Sequence, residues 1–227
     1  MAYQMVHMEV AYRLIIRLGI STFDEQFILG SVAPDSVHMR DPYKVEDKVH
    51  THLFEGCGPW GEPEDYERWM ANIEAFRDNF VRPQTDSKMR MFDLGIYVHC
   101  LTDYYNDLLI LRRQQKKFMP PMTADEFKAA LYGEAPLLDK WLFQTSPHSK
   151  DIAELLKKSE ETGMGDYIYA DDLTKMKHHL LNVQYNLSVP IDVSGFKYFP
   201  SGILMEFLDT VTEKIYEKVA PICSCPD

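Results

Sequence analysis

Apolar residues at Val6, Val10, Leu14, Ile15 and Leu18 recur every three to four positions, the spacing of one helix face, over residues 3–18. Gly19 stands where such a helix would stop. Ser21 or Thr22 is placed to cap a second, short helix carrying Phe23, Phe27, Ile28 and Leu29. The run from Gly30 to Asp35 should end that helix as a loop, because Pro34 disfavours helical backbone at Ala33. Residues 36–62, punctuated by Pro42, Pro59 and glycines, are expected to be mostly irregular.

Beyond this stretch the helical period returns. Tyr66, Trp69, Met70, Ile73 and Phe76 line one face of an amphipathic helix over residues 63–80, and a longer helix follows over 87–113. Pro120 and Pro121 break the chain. Thr123 with Glu126 three residues later is a capping box, opening a helix through Leu131. Helix resumes after Pro136 from Leu137 to Phe143, and residues 149–162 read as a polar surface helix. Two further helices span 170–187, with Leu173, Met176, Leu180, Leu181 and Val183, and 201–219. No stretch alternates with the period of a strand and no internal repeat is present, so the expected class is an all-α, multi-helix bundle forming a single domain over 1–227.

Composition narrows the function. Apolar residues make up 45% of the 227 and aromatics 12%, enough for a sizeable core. A net charge of −11 argues against a stable nucleic-acid complex and against docking on anionic lipid, both of which need Lys and Arg clusters. No run approaches the roughly 18 apolar residues of a membrane span. The first residues have neither a basic start nor a continuous apolar stretch, so no secretion signal and a cytoplasmic location are expected. Cys57, Cys100, Cys223 and Cys225 match no zinc-ribbon spacing, and Cys100 reads as a buried, reduced thiol.

The chemistry lies in a few imidazoles and carboxylates. His99 and Asp103, four apart in an apolar and aromatic stretch, occupy one helix face and could grip one metal ion without backbone movement. A buried Asp is costly unless paired or bound to a cation, and an ordinary hydrogen-bonded core pair is the alternative. Asp35 follows Pro34 as a ligand or a helix N-cap. His50 and His52 flank Thr51, and His7 borders the apolar stripe of the first helix. His38 and Arg40 could hold a phosphate oxygen or belong to a solvated loop. His178 and His179 read as structural, and Tyr97, Tyr104 and Tyr105 as packing or pocket-lining residues.

Three segments together resemble a known family: Phe27-Ile28-Leu29-Gly30-Ser31-Val32-Ala33-Pro34-Asp35, Asp47-Lys48-Val49-His50-Thr51-His52-Leu53, and Gly95-Ile96-Tyr97-Val98-His99-Cys100-Leu101-Thr102-Asp103. They look like the zinc-dependent phospholipase C family, which is related to the fungal single-strand-specific nucleases, and in particular like its small bacterial branch. The resemblance covers residues 3–110 and implies a helical fold around a metal cluster. It implies zinc ligation by His7, Asp35, His52, His99 and Asp103, with Asp35 also serving as base and Asp103 able to bridge two ions. His50 then has no counterpart. The family's further histidine and His-x-x-x-Glu pair are missing; Asn106 and Asp107 stand in the first place, and Glu134 and Asp139 could supply an oxygen-rich substitute or hydrogen-bond to the ligands and orient them.

The expected activity is hydrolysis of a small phosphate ester or phosphodiester by a water activated by one or two zinc-like ions. Two alternatives stay open: a non-catalytic protein whose metal staples helices together, and a metal-free helical interaction protein.

Overall fold

The computed structural model describes residues 2–223. Among the described residues ten α-helices carry the architecture: α1 (Gln4–Leu18), α2 (Asp24–Gly30), α3 (Val45–Thr51), α4 (Tyr66–Phe76), α5 (Ser87–Asn106), α6 (Arg112–Phe118), α7 (Ala124–Thr145), α8 (Ser149–Lys158), α9 (Ala170–His179) and α10 (Ser201–Cys223). Among the described residues the only β-type pairing is an isolated bridge between Met164 and Ile168, so the all-α class holds. Cys57 and Cys100 are buried thiols, Cys223 is an exposed one, and Cys225 lies outside the described residues.

The centre of the bundle is α5. From Phe92 to Asp103 every residue is buried, the signature of a helix enclosed on all sides. It packs against α1, α2, α4 and α10. Its closest approach is to α2, and two glycines permit it. A Cβ added to Gly30 would sit 2.1 Å from the Phe92 carbonyl oxygen, and one added to Gly95 would sit 2.5 Å from that of Phe27. On the opposite side α1 lies along α10, whose Leu204, Phe207, Leu208, Val211 and Ile215 form a buried stripe.

Several boundaries differ from the sequence-based expectation for identifiable reasons. Gly19 does end α1, in a left-handed conformation at φ 67°, with its N–H satisfying Ile15 and Ile16. Neither Ser21 nor Thr22 caps α2; Phe23 takes the cap position at φ 57°, and Asp24 accepts the N–H of Glu25 instead. Residues Ala33–Met39 are a 3₁₀ helix rather than a loop, with Pro34 in the first turn, where its missing N–H costs nothing. The expected irregular stretch also contains α3.

Helix α7 runs unbroken through Pro136, because Phe127, Leu131, Leu138 and Leu142 bury one continuous face and outweigh the one lost backbone bond. The Thr123–Glu126 capping box opens it as expected. Helix α8 is less superficial than its composition suggests, since Ile152 and Leu156 are buried. Single π-helical turns at Arg77–Val81, Asp107–Leu111 and Leu180–Gln184 prolong α4, α5 and α9, each inserting a residue that turns the helix faces.

Candidate metal centre

Five side chains converge beside the middle of α5. His7 comes from the second turn of α1, and His99 and Asp103 lie one turn apart on α5. His52 directly follows α3, and Asp35 lies in the 3₁₀ helix. All five are at most 4% exposed. His7 Nε2 lies 3.4 Å from Asp103 Oδ1, and His52 Nε2 lies 3.3 Å from Asp35 Oδ1 and 3.6 Å from Asp103 Oδ2. His99 Nε2 lies 3.6 Å from Asp103 Oδ2. They form two overlapping groups, His7–His99–Asp103 and Asp35–His52–His99, whose ligand atoms fall within 4.8 Å of one another in each group.

Hydrogen bonds outside the cluster decide how the rings present themselves. The Ser31 carbonyl, 2.8 Å from His99 Nδ1, accepts that nitrogen's proton. The Lys48 carbonyl does the same for His52 Nδ1 at 3.1 Å. Each neutral ring then offers a bare lone pair on Nε2. Those two Nε2 atoms are 3.2 Å apart. Two bare lone pairs at that distance repel unless a cation lies against both. His7, stacked on His99 at 3.8 Å, has no hydrogen-bond partner for either ring nitrogen, and Asp103 Oδ2 has none either. Orphaned donors and acceptors at 0% exposure are costly. The set has what a zinc-type ion requires: imidazole nitrogen, carboxylate oxygen and outer partners that orient both.

Charge is arranged to match. Burial pushes His52 and His99 well toward the neutral form that ligates metal. Burial alone would raise Asp35, but the Lys48 ammonium and His52 outweigh it and hold the carboxyl well below its usual range. Burial likewise opposes ionisation of Asp103, and the surrounding imidazoles, His7 first, reverse this. The cluster therefore presents two ionised carboxylates beside the rings of His52 and His99, with Lys48 as a nearby cation, its Nζ 3.0 Å from Asp35 Oδ1.

The remaining candidates are placed elsewhere. Asp35 caps no helix; its side chain meets Lys48, His52 and Gln4. Glu134 accepts the N–H groups of Lys197, Tyr198 and Phe199 and so holds the turn before α10. Asp139 is buried at the start of α1, accepting from Met5 N at 2.9 Å, Val6 N at 3.3 Å and the Tyr185 hydroxyl at 2.7 Å. Five residues apart on one helix, Glu134 and Asp139 point roughly 140° from each other and share no ligand group among the described residues. Asp139 nonetheless reaches the cluster indirectly. Gln184 bridges it to Gln4, and Gln4 donates to Asp35 Oδ2 at 3.3 Å.

His50 faces away, paired with Glu55 and stacked on Tyr167. Arg40 is engaged by Asp172 and Asp47 rather than free for a phosphate. His38 sits against the Lys48 ammonium at the edge of the site. His178 and His179 join neither ligand group. Tyr97 donates to Glu74, and Tyr104 packs on Trp69 and Tyr105. Sequence reasoning missed Lys48. The signal available was its position four residues before His52, one turn back on α3.

A cleft of about 480 Å³, lined among others by Trp60, Tyr66, Asp107, Arg112 and Lys128, includes none of the five clustered side chains. Trp60 separates it from the centre, its ring edge-on to His52 at 5.0 Å.

Fold and cluster together describe an all-α protein with side-chain groups that could hold a metal ion. Residues 6–105 match the family model for zinc dependent phospholipase C. All five clustered side chains fall within the matched residues. No curated protein and no solved structure matches the chain.

Chelation offers a direct check. Zinc that binds only the folded state at 100 times its dissociation constant adds about 2.7 kcal/mol of stability. Treatment with a strong chelator is therefore expected to lower the thermal midpoint by several degrees, and added zinc to restore it. A midpoint indifferent to both would contradict zinc binding at this cluster.

Proposed function

We propose that the protein is a metal-dependent hydrolase of a phosphate ester or phosphodiester, with His7, Asp35, His52, His99 and Asp103 holding one or two zinc ions. The observation that carries this reading is the opposition of His52 Nε2 and His99 Nε2 at 3.2 Å, two oriented lone pairs flanked by ionised carboxylates. Zinc held there would supply Lewis acidity, making water a better nucleophile near neutral pH and drawing charge from a phosphoryl oxygen.

The chain's own groups have separate tasks. Asp35, kept ionised, orients the attacking water. Its Oδ2 accepts from Gln4, and its Oδ1 faces Lys48 and His52. Lys48 contributes a fixed positive charge beside Asp35. Its ammonium has three protons, and Asp35 and His38 take two. The third is available to a phosphoryl oxygen, and the partly exposed His38 marks where substrate enters.

Hydrolysis of a generic phosphodiester, a phosphomonoester, short-chain phosphatidylcholine and single-stranded DNA by the zinc-loaded protein tests the reading and separates its possible substrates. Zinc bound stoichiometrically with no turnover of any of them would favour the structural-metal alternative. Replacement of Lys48 by Met is expected to lower kcat/KM about 100-fold, the scale of losing one donor to a developing oxyanion, while bound zinc is unchanged. Steady-state kinetics paired with metal analysis checks both halves.

A further inference from the structure

A cavity of about 330 Å³ that shares no lining residue with the metal cluster is lined by His50, Phe80, Gln84, Asp93, Asp166 and Tyr167, together with two methionines and a glycine. Its distinctive member is Asp93. The residue is 1% exposed, yet it has no ion pair among the described residues. Its Oδ2 receives one long hydrogen bond, from Gln84 Nε2 at 3.3 Å, and its Oδ1 has no partner. Burial pushes this carboxyl up to about 6, which still leaves it charged at neutral pH. An unpaired buried charge is among the costliest features a fold can carry.

The surroundings indicate what relieves that cost. Phe80 meets Tyr167 edge-to-face at 5.7 Å, and His50 stacks on Tyr167 at 4.1 Å, so aromatic surface forms part of the wall. Aromatic faces attract cations. Asp166 at the exposed rim adds a second negative group. An anion is disfavoured by both carboxylates. A divalent metal would need several oxygen or nitrogen ligands converging on one point, and Asp93 belongs to no such group. A water could bond to Oδ1 but would leave the charge uncompensated.

We infer that this cavity binds a small organic cation bearing N–H groups, a primary ammonium or guanidinium, with Asp93 as its counter-ion and hydrogen-bond acceptor. A quaternary ammonium fits less well, because it has no proton for Oδ1. The volume lies at the small end for ligand pockets and suits a ligand of metabolite size. The site is separate from the hydrolytic centre and does not depend on the activity proposed for it.

Isothermal titration of the zinc-loaded full chain at neutral pH tests this, with n-butylammonium as the probe and tetramethylammonium and n-butanol as comparisons. Saturable binding of butylammonium, at least about tenfold tighter than either comparison, is expected, and Asp93→Asn should weaken it at least about tenfold. Should that variant fail to fold, Tyr167→Leu serves in its place. Loss of one aromatic face is expected to weaken binding about three- to fivefold. No saturable binding, equal affinity for the three probes, or affinity unchanged in the variant would overturn the assignment and leave Asp93 a structural acid.

Discussion

Asp103→Asn is expected to remove most bound zinc and nearly all hydrolytic activity while the helical content stays at the wild-type level. Asp103 is the carboxylate common to the cluster: Oδ1 faces His7, and Oδ2 faces both His52 and His99. The substitution preserves size and shape but takes away the negative charge that balances a divalent ion. Loss of a residue that only orients a metal ligand already costs about 10–100-fold in affinity or activity, so loss of this carboxylate should reach the upper end of that range or exceed it. Metal analysis after gel filtration, circular dichroism and phosphodiester turnover together check the claim. A variant retaining full zinc and full turnover would exclude Asp103 from the centre.

Gly95→Ala carries the largest expected effect on stability. The added methyl would lie 2.5 Å from the Phe27 carbonyl oxygen and 2.7 Å from Gly30 Cα, both backbone atoms of α2 that no rotamer change can move aside. Helices α2 and α5 would have to separate, at a cost of about 3 kcal/mol or more. The separation also moves the Ser31 carbonyl, which follows α2 and orients His99. Zinc affinity should therefore fall along with stability, although Gly95 supplies no ligand atom. Denaturant titration of zinc-loaded and chelated protein measures both effects. Gly133→Ala is the control: its Cβ meets nothing within 4 Å, and helix propensity predicts a gain of up to about 1 kcal/mol. Equal effects at the two glycines would show that the close helix crossing is not what makes Gly95 necessary.

The fold class and most helices were legible in the chain because hydrophobic periodicity is a local property. The face of α4 and the capping box of α7 need only neighbouring residues to be read. The stretches that misled are those where tertiary packing overruled a local signal. Proline at position 136 looked like a break, but the apolar face running past it keeps α7 whole. The loop expected after Gly30 is a short helix that carries Asp35 into the cluster.

The sequence by itself determined the chemical inventory: imidazoles and carboxylates at spacings that only a helical scaffold could use, and a His-x-x-x-Asp pair whose two members share a face by helix geometry alone. Which of them meet was decided only by the tertiary structure. His52 turns inward and His50 outward, Asp139 spends its oxygens on the first turn of α1, Glu134 holds a distant turn, and Lys48 joins the cluster. The reason is physical. Residue type limits which bonds a group can form, whereas the direction of a side chain follows from how its helix is rotated and packed, and that is set by contacts between residues far apart in the chain.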